Sequence, residues 1–353
     1  MKRIIICLLV CFLLAACKTP DAVVAKTAFS AEKTETDAAP EETAALPDTD
    51  ESAVRAKERS EEPKHPDPGE ALPEDEPDTD VVKTAETTAS APLEKHPWAD
   101  ARFPGKFSES PEYGERSYKS KSIDVTITTY RVEETYSKLT TYHVADIYVK
   151  DVTSIRTAAA HSFDTRYERT VREIAADAGA LLAIDGDTYT RAANSFVIRN
   201  GELYRSTPIE DTDICILYRD GRMETRKWGA FTMDEVVASD PWQVWGFGPA
   251  LLDENGHSME IENKLSPWNP RAAIGYYEPG HYCFVIVDGR EKGWSEGVRL
   301  SALSRLMEDL GCKAAYNLDG GDSAQMYWNG EIISKSRNES RVISDIIYIL
   351  PEE

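Results

Sequence analysis

Three stretches of the chain place carboxylates beside glycines closely enough to bind a ligand. They are Asp185-Gly186-Asp187, Asp288-Gly289-Arg290 and Asn317-Leu318-Asp319-Gly320-Gly321-Asp322-Ser323. Each follows an apolar run that reads as a buried strand. Paired glycines let the backbone turn with positive φ, and successive N–H groups in such a turn can form a nest for an anion. A carboxylate, a glycine pair and a hydroxyl in one loop suit a phosphate, a sugar or a metal. Asp-Gly-Gly by itself is also a plain turn signal, so its recurrence carries the argument. Arg271 is a lone cation beside the apolar run 272–274. A guanidinium there can grip a phosphate or carboxylate with a bidentate fork, or form a structural ion pair. Asp185, Asp187, Asp288, Asp319 and Asp322 are hard oxygen donors of the kind that hold Ca²⁺ or Mg²⁺. Asp187 and Asp322 are the metal candidates, although the spacing is not that of an EF-hand loop.

The segments that must position these residues mix helix and strand periods. Residues 122–131 alternate and are β-branched, and 141–148 read as the partner strand. Residues 165–178 have apolar side chains at helical spacing, with Asp164 as the expected cap and Gly179 as the stop. Residues 180–184 are a continuous apolar run that delivers Asp185. Asn200-Gly201 between apolar runs is a hairpin signal, and Asp220-Gly221 marks a second hairpin. Residues 231–235 begin a short helix. Trp245 to Leu252 is a glycine-rich loop whose tryptophans suit either a sugar platform or a core. Residues 271–275 and 282–287 read as strands. Residues 300–310 form an amphipathic helix with Ser301 as the expected cap. Residues 314–318 and 346–350 are further strands. The expected class is α+β, with a mixed α/β sheet whose buried strands end in Asp/Gly loops flanked by helices and hairpins. Ligands of open α/β sheets gather beyond the carboxyl ends of strands, where two of the loops are expected to converge.

Residues 1–16 read as a signal peptide: Met1-Lys2-Arg3, an apolar stretch too short to span a bilayer, then Leu14-Ala15-Ala16 before Cys17. This resembles a bacterial lipobox, which implies lipid attachment at Cys17 and a domain outside the cytoplasm, held to a membrane of the cell envelope. Residues 17–97 hold 21 acidic against 9 basic residues and almost no aromatics, so they are expected to form a disordered tether. The formal charge of the whole chain is -22. About half of it lies beyond the tether, in a globular domain over 98–353, which disfavours nucleic acid as a partner. Cys215, Cys283 and Cys312 lie in apolar surroundings without zinc spacing and are expected to be buried free thiols.

Several motifs, taken in order, resemble the phosphodiester glycosidase family. They are Ala183 to Tyr189, the hairpin Phe196 to Leu203, Gly248-Pro249-Ala250-Leu251-Leu252, Asn269-Pro270-Arg271-Ala272-Ala273-Ile274-Gly275, Val287-Asp288-Gly289-Arg290, Tyr316 to Ser323 and Arg341-Val342-Ile343-Ser344-Asp345. The resemblance covers about residues 160–350. It departs at Asp185, where the family usually has Asn and a negative charge is added. It departs again at Thr188, which breaks an aromatic pair and leaves Tyr189, and at Asp322, where a small residue is frequent. The resemblance implies hydrolysis of a sugar-1-phosphodiester on a phosphoglycan or envelope glycopolymer, with a decayed glycan-binding lipoprotein as the alternative. It implies Asp319 or Asp288 as nucleophile or base. It implies Arg271 with the Asp319-Gly320-Gly321 backbone as phosphate clamp. Asp185, Gly186, Asp187, Asn317, Gly320, Gly321, Ser323, Arg290 and Arg341 are the implied substrate contacts. No cofactor is required on this reading, with Ca²⁺ or Mg²⁺ as an optional addition.

Overall fold

The computed structural model describes residues 102–163, 168–189, 195–207, 210–262, 265 and 267–352. All of them fall within one compact unit, Glu86–Glu353. The expected signal peptide, the lipid acceptor Cys17, the tether and the expected cap Asp164 lie outside the described residues.

In chain order the strands are β1 (Glu112–Tyr113), β2 (Ser117–Lys119), β3 (Ile123–Glu133), β4 (Leu139–Val149), β5 (Arg156–Ala159), β6 (Arg169–Thr170), β7 (Leu182–Asp185), β8 (Ser195–Arg199) and β9 (Glu202–Thr207). They continue with β10 (Ile214–Tyr218), β11 (Met223–Arg226), β12 (Pro241–Trp245), β13 (Arg271–Glu278), β14 (His281–Val287), β15 (Ala314–Gly320), β16 (Met326–Trp328), β17 (Glu331–Ile332), β18 (Val342–Ile343) and β19 (Asp345–Ile349). Three α-helices are found among the described residues: Val171–Asp177, Met233–Ala238 and Leu300–Asp309.

The strands form a seven-stranded sheet in the order β1-β2-β3-β4-β14-β13-β15. Two five-stranded sheets follow the orders β11-β10-β12-β8-β9 and β17-β16-β7-β19-β5, and β18-β6 is a small pair. Every described pairing is antiparallel. The α+β expectation therefore holds only in outline. The fold is sheet-dominated and the mixed sheet is absent among the described residues. The rule for the carboxyl ends of parallel strands does not place this site.

The two-residue alternation of a strand explains the layering. One face of each large sheet meets a common core, to which Val125, Ile147, Ile184, Trp245, Ile274, Phe284 and Ile347 contribute. The opposite faces are each covered by one helix. Ala273, Val285 and Ala315 face Leu303, Leu306 and Met307. Ala183, Ile346 and Tyr348 face Val171, Ile174 and Ala175. Ile198, Ile216 and Val244 face Val236.

Local chemistry sets the element ends. The first helix starts at Thr170, not Asp164, because Thr170 and Glu173 form a reciprocal capping box. Thr232 and Glu235 do the same for the second helix. The third has Arg299 at its N-cap with no side-chain cap, so Ser301 does not cap it. Its hydroxyl instead accepts the Ile261 N–H at 2.9 Å. Asn200 and Gly201 have φ of 51° and 82°, which closes the β8–β9 hairpin in the left-handed region. Trp245 is fully buried in the common core and is not a sugar platform. The expected thiols are all buried and free, with Cys283 and Cys312 sulfurs 3.7 Å apart.

Gly275 lets the third helix close on the large sheet. A Cβ there meets Cys283 Sγ at 2.6 Å, Cys312 Sγ at 2.7 Å and Met307 Cε at 2.7 Å. Gly275→Ala is expected to destabilise the domain by about 1–3 kcal/mol through overpacking. A urea unfolding midpoint equal to that of the parent would contradict this packing.

Candidate active site

The site begins where two sheets touch. β7 ends at Asp185 and β15 runs through Asp319, and the Asp319 N–H donates to Gly186 O at 3.0 Å. Two of the three Asp/Gly stretches thus converge. Asp185 is fully buried: Oδ1 accepts the Gln325 N–H at 3.2 Å, while Oδ2 has no hydrogen-bond partner among the described residues. Burial, then the nearby Asp319 charge, then Asp345 push its carboxyl well above the usual range. Its carboxyl is thus biased toward the protonated form, which offers one O–H donor and one carbonyl acceptor, like the side chain of Asn. Burial works against the expected added charge. Asp319 is half-buried and accepts the Gly320 N–H on Oδ1 at 2.8 Å.

A buried ion network holds the base of this junction. Arg199 has no exposed surface; its Nε donates to Asp345 Oδ2 at 2.9 Å and its Nη2 to Asp187 Oδ2 at 3.1 Å. Its Nη1 reaches Ile198 O and Val244 O. Burial opposes the Arg199 charge, but Asp345 and Asp187 outweigh it and raise its pKa. Burial also pushes the Asp345 carboxyl up to about 6, against the pull of Arg199. Asp345 Oδ1 accepts the Asp187 N–H at 2.7 Å, and Asp187 accepts the Gly246 N–H at 2.8 Å and the Thr188 N–H at 2.9 Å. A Cβ at residue 186 would collide with Asp345 Oδ1, so only glycine fits there. Tyr189 is buried beneath this network, with its hydroxyl on Ser344 O at 3.2 Å.

The glycine loop differs from expectation. Its nest is occupied from within: the Gly320 N–H binds Asp319 and the Gly321 N–H binds Pro270 O at 3.0 Å. Those two amides do not face a ligand. Arg271 is 4% exposed and donates to three backbone carbonyls: Leu265 and Pro267 at 2.6 Å each and Val298 at 3.2 Å. It anchors the chain around residues 265–271 and is not a free phosphate clamp. Burial, with some help from Arg290, lowers its pKa to about 10.

Other arginines surround the loop. Arg290 donates to Asp322 Oδ1 at 3.0 Å and Asn269 Oδ1 at 2.6 Å, and its guanidinium lies 3.2 Å from where a Gly321 Cβ would stand. Arg337 lies 3.5 Å from Asp322 Oδ2. Arg341 Nε donates to the buried Ser323 hydroxyl at 3.3 Å. Around Asp322, two guanidiniums are thus paired with one carboxylate. Arg341 adds a third cation nearby.

The metal candidates are used differently. Asp187 is tied to Arg199 and Asp322 to Arg290 and Arg337, so both carboxylates already face cations. Among the described residues, no three of His, Cys, Asp and Glu converge as a metal-holding group. Asn317 is buried, with its Nδ2 on Gly248 O at 2.7 Å, and supports the Gly248-Pro249 segment from within. Asp288 belongs to another cluster. It is 1% exposed and its carboxylate accepts Trp294 Nε1 at 2.7 Å, the Lys335 N–H at 3.0 Å and His143 Nε2 at 3.2 Å. It is enclosed, not presented as a nucleophile for the glycine loop. Beside the Asp187 network a cavity of about 590 Å³ is lined by Thr188, Asp211, Asp213, Gly246, Phe247 and Pro249, among others.

The central residues missed from sequence are Arg199, Asp345 and Arg337. Arg199 carried the same signal as Arg271, a lone cation against an apolar run. Arg337, in a polar loop, carried none.

Comparison with known proteins agrees with this architecture. Residues 178–350 match the family model described as phosphodiester glycosidase. Over these residues the chain is similar to the phosphodiester glycosidase family. The matched residues contain β7, β15, Arg199, Asp345 and the arginine-ringed loop. The catalytic domain of zebrafish N-acetylglucosamine-1-phosphodiester alpha-N-acetylglucosaminidase, auto-inhibited by its pro-peptide, superposes with a TM-score of 0.52 at 20% identity. The match covers 69% of this chain and 88% of that one, and it establishes the shared fold. The SPbeta prophage-derived uncharacterized protein YomE of Bacillus subtilis (strain 168) is 25% identical over 196 residues, 53% of this chain. That match spans 30% of the relative's length. The family supports a glycosidase-type hydrolase.

Asp185 gives a clear pH test. Its folded pKa is raised, so the folded state binds a proton that the unfolded chain releases near pH 4. Its stabilising contribution is complete below that pH and is lost as pH rises toward the folded value. Asp185→Asn should match the parent in stability at pH 3–4 and exceed it at pH 7. Equal denaturant midpoints for the two proteins at both pH values would show that Asp185 is not held neutral.

Proposed function

We propose that this domain hydrolyses a sugar-1-phosphodiester, with Asp319 acting at the anomeric carbon and Arg290, Arg337 and Arg341 holding the phosphate. The observation that carries the reading is a half-buried carboxylate beside the buried Asp185, whose own carboxyl is pushed above its usual range, at the start of a loop ringed by arginines. Cleavage of an anomeric C–O bond passes through an oxocarbenium-like state, which a carboxylate stabilises. The departing phosphate carries its own negative charge, which guanidiniums grip with directed, charge-assisted bonds. With Asp185 biased toward its neutral form, Asp319 is the carboxylate left to meet the developing positive charge. The cavity beside Asp187 is of a size for a pyranose ring and its substituents.

The domain works, on this reading, at the cell envelope, tethered through a lipid on Cys17, and its substrates are phosphoglycans or phosphate-linked envelope polymers. Asp185 acts as a neutral hydrogen-bonding group, in the place where the family usually has Asn.

Turnover of UDP-N-acetylglucosamine, with release of free sugar, tests this reading. Asp319→Asn should lower kcat by about 10²–10³-fold, as expected for loss of one transition-state contact. Arg290→Ala should raise KM and lower kcat, while Asp185→Asn should keep most of the activity. Equal turnover in Asp319→Asn and the parent would refute the assignment. Saturable binding of the same compound without turnover would instead support a glycan-binding lipoprotein. Loss of activity in EDTA, restored by Ca²⁺ or Mg²⁺, would add a metal to the site.

A further inference from the structure

A second cluster of reactive groups spans β3, β4 and the residue after β14 in the seven-stranded sheet. Thr129 on β3 and His143 on β4 stand directly opposite one another. Thr129 Oγ1 is 2.9 Å from His143 Nδ1, and His143 Nε2 is 3.2 Å from Asp288 Oδ2. His143 is 3% exposed and Asp288 is 1% exposed, whereas Thr129 is on the surface.

The tautomer follows from the partners. An ionised carboxylate only accepts, so Nε2 carries the imidazole proton, Nδ1 offers its lone pair, and the Thr129 hydroxyl donates to it. Asp288 is fixed in turn by Trp294 Nε1 at 2.7 Å and the Lys335 N–H at 3.0 Å. A hydroxyl bonded to a base, and that base oriented by a buried carboxylate, is the arrangement that activates a nucleophile.

The backbone around Thr129 is open. β2 pairs with β3 only as far as Thr126. Beyond it, no described strand flanks the outer edge of β3. The Ile127 N–H points outward, to Arg116 O at 2.8 Å. By the alternation of an antiparallel strand, the Thr129 N–H points to the same side. A donor next to the hydroxyl is therefore placed to receive a developing oxyanion.

We propose that Thr129, His143 and Asp288 form an acyl-transfer centre for small esters such as O-acetyl groups. Thr129 Oγ1 attacks the ester carbonyl carbon, and its proton passes to His143 Nδ1. The imidazolium is stabilised by Asp288. The carbon–oxygen bond to the alcohol breaks, and the alcohol leaves with the proton from His143. Water then attacks the acyl-threonine, His143 takes its proton and returns it to Thr129, and a carboxylic acid is released. Thr129 is the nucleophile, His143 the base, and Asp288 a positioning residue.

A cross-strand Thr–His pair can also make this hydrogen bond for packing alone, and one experiment separates the two. The full chain is incubated with p-nitrophenyl acetate and, separately, with a fluorophosphonate probe, and the modified peptide is mapped. Thr129→Val keeps the shape of an exposed strand residue, so folding is preserved. It should reduce ester hydrolysis at least roughly tenfold, remove the adduct and leave sugar-1-phosphodiester turnover unchanged. Thr129→Ser should retain both hydrolysis and labelling. No hydrolysis above buffer, an equal rate in Thr129→Val, or an adduct at another residue would overturn the proposal.

Discussion

The Arg199 guanidinium, fully buried between Asp187 and Asp345, is the contact on which the rest of the site depends. It ties β8 to the loop after β7, to the start of β19 and, through Val244 O, to β12. Two five-stranded sheets are thereby locked together at one point. A charge buried in this way is tolerable only if its donors and its partners' acceptors are satisfied, because an unpaired buried ion costs several kcal/mol. Here one guanidinium meets two carboxylates and two carbonyls. The network also dictates glycine at position 186, whose missing side chain leaves room for Asp345. That glycine's carbonyl then receives the Asp319 N–H, which brings the seven-stranded sheet to the junction.

The chemistry follows from where charge is allowed. The chain carries a formal charge of -22, yet arginines gather around Gly320–Ser323. Asp185 is buried with no cation partner among the described residues, and its carboxyl is pushed toward the neutral form. Asp187 and Asp345 are buried with one. Residues of the same type thus take different parts, Asp185 as a carboxyl biased to its neutral form, Asp187 and Asp345 as ion-pair anchors, and Asp319 as the carboxylate proposed to react. Their environments assign these roles, because desolvation and neighbouring charge act on each carboxyl separately.

Much of this was legible in the sequence, and the remainder was not, for physical reasons. Strand positions came through because apolar alternation and Asn-Gly turns are local signals. β3, β4, β13, β14 and the β8–β9 hairpin all fall where those signals stand. The convergence of Asp185 and Asp319 was also legible as the same device met twice. The antiparallel topology was not, since runs such as 180–184 and 282–287 are buried on both faces and read like parallel strands. The roles of the arginines were hidden as well. Arg271 and Arg199 each stand against an apolar run, but both ended as anchors because each is enclosed by carbonyls or carboxylates that come from distant segments. The glycine nest failed as an anion site because its amides are bonded to Asp319 and Pro270, a tertiary fact with no local signature.

In the proposed complex the phosphate sits among Arg290, Arg337 and Arg341 with the anomeric carbon facing Asp319. A crystal structure of the chain with a non-hydrolysable sugar-1-phosphonate tests it most directly. Phosphonate oxygens are expected within hydrogen-bonding distance of Arg290 and Arg341, and the Asp319 carboxylate within van der Waals reach of the anomeric carbon. A phosphonate bound elsewhere, or a sugar ring lodged away from Asp319, would contradict it.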